Sequence, residues 1–236
     1  MALPELALDE VNVVVKGAFN PGIFSPAWLL GQDLIGNEEY EAAAVEVITR
    51  EVAIFSVGWL RCQVTIDQLL FATTKADESE RLRDAVVGVL RALAHTPIGA
   101  LGINRVVHFD VGDFERWHAI GDALVPKAPW EGVLILPGMK NVGILAVRPD
   151  LYGGNINVEV EPSGRVPHGI FVSHNDHFEL RRVESQPTKR QEISPPAPTV
   201  TPSASLIPVA VEILTGEWVA SMKRAQQIIS HVARQG

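Results

Sequence analysis

Ionisable side chains gather in one stretch of this 236-residue chain, 155–177, which reads NINVEVEPSGRVPHGIFVSHNDH. Ile156, Val158 and Val160 alternate with polar residues, the period of a half-buried strand. Residues two apart on a strand share a face, so Glu159 and Glu161 point the same way. A return strand, Pro167–His174, paired across the Pro162–Ser163–Gly164 turn, sets His168 opposite Glu161 and His174 opposite Asn155. Glu159, Glu161, His168 and His174 then form a polar wall of carboxylate and imidazole, suitable ligands for zinc, iron or manganese. No spacing here matches a defined metal motif. His174 and His177 become neighbours only if that stretch turns helical. A polar outer face, followed by a turn in which Asn175 and Asp176 bond their own backbone, accounts for the same residues. No metal or other cofactor is expected.

Covalent chemistry has less support. Cys62 is the only cysteine, and it alternates in phase with Leu60 and Val64, the phase of a core face. One cysteine permits neither an internal disulfide nor a cysteine-rich zinc site. The chain contains no G-x-S-x-G elbow, P-loop or G-x-G-x-x-G fingerprint. Asp67 and Asp150 lie at strand ends, where turn aspartates are common.

These residues must be positioned by elements of both periods. Val11–Val15 and Leu60–Ile66 read as strands, with Gly58 marking a turn before the second. Asn37–Val47 begins as helix and ends as strand. Ser25–Pro26 is a helix start, serine capping free N–H groups and proline occupying the first turn. The helix 78–94 starts at an Asp77/Glu80 box and carries Leu82, Val86, Val89, Leu90 and Leu93 on one face. Leu101–Phe109 is a strand and 113–124 a helix, and Val133–Leu136 with Val142–Arg148 reads as a hairpin about Pro137–Gly138.

One element occurs twice. Residues 19–35 and 109–125 align Phe19 with Phe109, Gly22 with Gly112, Phe24 with Phe114, Gly31 with Gly121 and Leu34 with Leu124. The fold class expected is therefore α+β: antiparallel sheets backed by long helices, in two pseudo-repeated strand–helix–strands–helix halves, 1–97 and 98–185. A Pro-rich linker over 186–206 cannot bury enough apolar surface to order itself. Beyond it, 207–236 is an amphipathic helix with Val211, Leu214, Trp218, Met222 and Ile229 on one stripe, the candidate partner-binding surface.

Composition narrows the function. An apolar content of 47% supports a substantial core. No apolar run approaches the roughly 18 residues that span a bilayer, and the N-terminus lacks the basic region of a secretory signal. A cytoplasmic location and no membrane partner are expected. Net charge is −8, and the basic residues are scattered rather than gathered on a face, which disfavours nucleic acid. The first reading is a non-catalytic protein acting through protein–protein contacts or assembly, a homo-oligomer or a binder of a protein partner, with the tethered helix as its docking element. The alternative is a small-molecule-binding or metal-dependent enzyme using a sheet–helix cavity lined by Glu159, Glu161, His168 and His174. A third is an acidic immunity or inhibitor protein that masks a basic partner.

Overall fold

The computed structural model describes residues 5–182 and 201–236. Nine strands form one antiparallel sheet: β1 Leu6–Gly17, β2 Ala44–Ile48, β3 Val52–Val57, β4 Leu60–Thr65, β5 Gln68–Thr73, β6 Ile98–Asp110, β7 Val142–Val147, β8 Tyr152–Pro162 and β9 Gly169–Arg182. Their order across the sheet is β2-β3-β4-β5-β1-β6-β9-β8-β7. The long strands β1 and β6 pair at the centre, Val13 opposite Ile103. Strands that precede β6 in sequence fan out on one side of that pair, and those that follow it on the other.

The helices are α1 Pro26–Gly31, α2 Asn37–Glu41, α3 Ser79–Ala92, α4 Phe114–Leu124, α5 Ile207–Gly216 and α6 Trp218–Ala233. Alternation fixes which sheet face they cover. Val11, Val13 and Val15 of β1 are buried, as are Cys62 and Val64 of β4 and Val158 and Val160 of β8. These residues meet the apolar faces of the helices in two clusters. One joins β1 and β3–β5 to α3 and α5, through residues such as Phe55, Phe71, Leu82, Val86 and Leu214. The other joins β6, β8 and β9 to α4 and α6 through Val107, Val172, Ile120, Ile229 and Val232. The opposite face of the sheet carries no helix among the described residues.

Local signals behave as their chemistry requires in several places. The Ser25 side chain accepts from Trp28 N with Pro26 following, and Asp113 caps α4 by accepting from Arg116 N. Gly58, at φ 56°, turns β3 into β4. Four expectations change. The Asp77/Glu80 box does not form: a 3₁₀ turn, Ala76–Glu78, leads into α3, which has no side-chain cap. Residues 133–136 form no strand, and β7 pairs with β8 instead, Leu145 opposite Asn157. The C-terminal helix is two helices bent by 55° at the break between them. Among the described residues no single helix is long and apolar enough to cross a membrane. Most of the expected linker, 186–200, lies outside the described residues. Its end is ordered, because Ser203 and Ile98 exchange backbone hydrogen bonds (3.3 and 2.9 Å).

The aligned pair Phe24 and Phe114 occupy different surroundings. Phe24 is fully buried against Trp28, whereas Phe114 is 56% exposed, beside His118 and His168.

Candidate functional site

The expected polar wall does not assemble, and the register of β8 against β9 is the reason. Pro162 is the last residue of β8 and pairs with Ile170. Glu161 therefore faces Phe171, Glu159 faces Ser173, and Asn155 faces His177. This register differs from the expected one by three residues. An odd shift moves every β9 side chain to the other face. The turn sets it: Ser163 N bonds Gly169 O, Gly169 N bonds Val166 O, and His168 takes a left-handed φ of 50° outside the strand. Glu159 and Glu161 are exposed on the helix-free face, and His168 is exposed in the turn. His174 lies on the helix-covered face, opposite Val158 and fully buried. The four residues divide among three environments. Among the described residues, no group of three or more His, Cys, Asp or Glu is placed to hold a metal ion. Cys62 is buried in the core, where desolvation pushes its thiol well above the usual range.

Buried charge collects elsewhere, at residues whose chemistry gave no local motif. Asp176 of β9 is fully buried. Arg148, which follows β7, donates from Nη1 to Asp176 Oδ1 (3.0 Å) and from Nε to Asp150 Oδ1 (3.0 Å). Arg224 of α6 donates to the other oxygen of Asp176. The Arg148 guanidinium also lies over the Phe178 ring, 3.4 Å from its centroid. Alongside, Arg105 of β6 grips Asp9 with two hydrogen bonds (2.9 and 2.8 Å) and donates to Gln226 of α6 (2.6 Å). This layer ties α6 to the sheet. The arginines meet carboxylates, so little charge is left over to recruit a ligand.

His174 sits within this layer, its Nε2 3.9 Å from Asp176 Oδ2. Neither ring nitrogen has a hydrogen-bond partner among the described residues, and the same holds for Ser221 Oγ and Gln226 Nε2. Desolvation, aided by Arg224, Arg148 and Arg105 against the pull of Asp176, holds the imidazole down at about 4. The imidazole is neutral near pH 7 and closed to solvent. A histidine–carboxylate pair without access to a substrate cannot relay a proton to one.

A pH dependence follows. The unfolded chain protonates His174 near its ordinary value of 6.5, and the folded chain only near 4. At this site the unfolded state binds more protons between these values, so the contribution of His174 to stability is complete above about pH 6.5 and is lost as pH drops toward 4. Glu217 is pushed up by burial, with Asp150 adding to it, and opposes the trend in the carboxylate range. Urea unfolding at pH 7 and at pH 4.5 is expected to show the loss in the native chain and a smaller loss in His174→Gln. Equal losses in both would assign the slope to other groups.

The helix-free face is polar where it is most enclosed. Asn12, Asn104, Asn175 and Asn157 occupy directly opposed positions on β1, β6, β9 and β8. Asn104 Nδ2 donates to Asn12 Oδ1 (2.7 Å), and Asn157 Nδ2 donates to Asn155 Oδ1 (2.7 Å). Within the row only Asn104 and Asn12 bond one another, and Asn104 Oδ1 and Asn175 Oδ1 are buried with no hydrogen-bond partner among the described residues.

The apolar stripe expected to bind a partner lies against the chain's own sheet. Leu214, Trp218 and Ile229 are buried there, and Val211 and Met222 pack at its margin. Exposed apolar side chains occur on both edge strands, Val45 and Ile48 on β2 and a longer run on β7. Ile144, Leu145 and Val147 are all substantially exposed on an outermost strand. The stretch before it carries Trp130, Val133, Leu134, Ile135 and Leu136, the last two 96% and 93% exposed. The strand VGILAV contains no charge and no proline, and its pairing with β8 has no bulge. The other edge, β2, has a register shift between Val45 and Val47, and its Glu46 pairs with Arg61 (2.6 Å). Bulges and charges are the usual protection of an edge strand, and β7 has neither. No family model matches the chain, and no curated protein sequence matches it.

Proposed function

We propose that this chain is a non-catalytic protein that acts through protein–protein contacts, and that the β7 edge with the apolar stretch before it is its contact surface. The carrying observation is the edge itself: a regular, uncharged strand whose outer side pairs with no other strand among the described residues, preceded in sequence by large exposed aliphatic side chains. Large exposed apolar patches mark interaction sites. A strand added to such an edge gains main-chain hydrogen bonds and covers side chains on both faces. The C-terminal helices are part of the body in this reading, completing the layer over β6 and β9. A doubled ancestral plan belongs to the reading too. It is supported by the equivalent places of β1 and β6 at the sheet centre and opposed by the unlike surroundings of Phe24 and Phe114.

Hydrogen exchange tests the contact surface. Outward-pointing amides of β7 are expected to exchange slowly, either in the purified protein at high concentration or in extract from cells that make it. Fast exchange in both settings would remove β7 as a contact surface.

A further inference from the structure

We infer that the occupant of the β7 edge is a second copy of this chain, with β7 pairing antiparallel to β7 about a two-fold axis perpendicular to the sheet. The inference rests on the contact reading above and names the partner. A closed two-fold contact uses one patch twice, so that patch must be complementary to itself. An axis perpendicular to the sheet keeps each side chain on its own face. Residues that oppose one another across the axis then share parity, and the central residue meets its own copy. Only two central positions keep most of this six-residue strand paired. One sets Ile144 against Ile144, with Val142 opposite Ala146 and Gly143 opposite Leu145. The other sets Leu145 against Leu145, with Ile144 opposite Ala146 and Gly143 opposite Val147.

Both registers bring only apolar residues and glycine into contact within the strand. A charge at any of these positions would oppose a like or nearby charge of the partner copy and disfavour the pair. The absence of charge is what self-pairing requires, whereas a strand from another protein would be selected more sharply by a charged or polar position on this edge. Exposure on both faces points the same way. Ile144 lies on the helix-covered side, opposite Val158, and Leu145 lies on the helix-free side, opposite Asn157. Both are left open, and an added strand covers the two together. A stable dimer covers roughly 800 Å² per partner, more than one six-residue strand offers, so the pairing also needs exposed apolar side chains such as those of 130–136, which precede β7 in sequence. The product is one sheet continuous across two copies, with all helices on the same side.

Salt separates this occupant from a basic partner. Each copy carries a net charge of −8, so added salt screens repulsion between copies and strengthens their pairing. Contact with a basic partner would weaken under the same change.

The test is sedimentation of the full chain with charge-swap variants at the two central positions. The native chain is expected to run as a dimer that tightens with salt. Ile144→Lys, Ile144→Glu, Leu145→Lys and Leu145→Glu are each expected to weaken association roughly tenfold or more. These sites are exposed, so the fold should persist, and far-ultraviolet circular dichroism checks it. Mixing the Lys and Glu variants of the central residue is expected to restore the dimer, and the position that rescues fixes the register. A native chain that stays monomeric at all concentrations overturns the inference. So does a dimer that tolerates every substitution, or a disruption that no mixture rescues. A monomeric chain whose β7 amides become protected only in cell extract would overturn the second copy as occupant and leave the contact reading standing.

Discussion

Asp176→Ala is expected to lower the free energy of unfolding by about 3 kcal/mol, toward the lower end of what breaking a buried ion pair costs. Asp176 is fully buried, and Arg148, with only 1% of its side chain exposed, donates to it across 3.0 Å. Removing the carboxylate leaves a surplus positive charge in a place water does not reach. Two features hold the loss below the upper limit of about 5 kcal/mol for such changes. Arg148 retains Asp150, and Arg224, partly exposed, can turn toward solvent. Asp176→Asn keeps the shape and one acceptor, so it is expected to lose less. Replacing the pair together, as Asp176→Leu with Arg148→Met, is expected to recover much of the loss, because apolar residues of similar volume need no desolvation of charge. Denaturant unfolding measures all three. Hydrogen exchange should locate the weakening in α6, where Arg224 is anchored. A loss below 1 kcal/mol for the alanine variant would show that the charge layer does not hold that helix.

Trp218→Ala is expected to destabilise by about 3–5 kcal/mol, the range for truncating a large buried aromatic. Trp218 is 2% exposed and opens α6 just past the bend, packed in the cluster that also holds α3 and α5. The cavity would open in that shared cluster, whose α5 packs on both α3 and α6 and is not free to collapse into it. The transition is expected to remain single, with α3 and α5 losing protection along with α6. If only α5 and α6 lose protection while global stability is unchanged, the C-terminal helices are a separable arm, and the docking role for Leu214, Trp218 and Ile229 returns. The two variants therefore test one question by different physics: whether the C-terminal segment belongs to the body or merely rests on it.

The contact surface and the charge layer stand in a simple relation. The layer fixes the end of β7, because Arg148 directly follows Val147 and is anchored at Asp150 and Asp176. An edge strand pinned at one end is held ready for pairing, with less conformational freedom to lose when a partner strand arrives.

The sequence by itself determined which side chains face the core. The alternation of Leu60, Cys62 and Val64, and of Ile156, Val158 and Val160, put those residues on buried faces, and helical spacing did the same for Leu82, Val86 and Leu90. Period and local capping act within a few residues, so they are written into the chain. Arg105, in step with Ile103 and Val107, and Asp176, in step with Val172 and Phe178, were the one local sign of the charge layer: charged residues in phase with a core face. Their partners were not legible. Arg148, Asp176 and Arg224 are distant in sequence, and only the strand order and the path of α6 bring them together. The β8–β9 register was decided by a turn with a left-handed His168, and that odd shift separated His174 from Glu159 and Glu161. The apolar stretches Val133–Leu136 and Val142–Arg148 read as the two strands of a hairpin, since periodicity reports side-chain type and not position in the sheet. Placing β7 last in the order, beyond the reach of the helix layer, turned such a stretch into an open edge. Strand order is a property of the whole chain, and that is why only the tertiary structure could reveal the surface on which the proposed function rests.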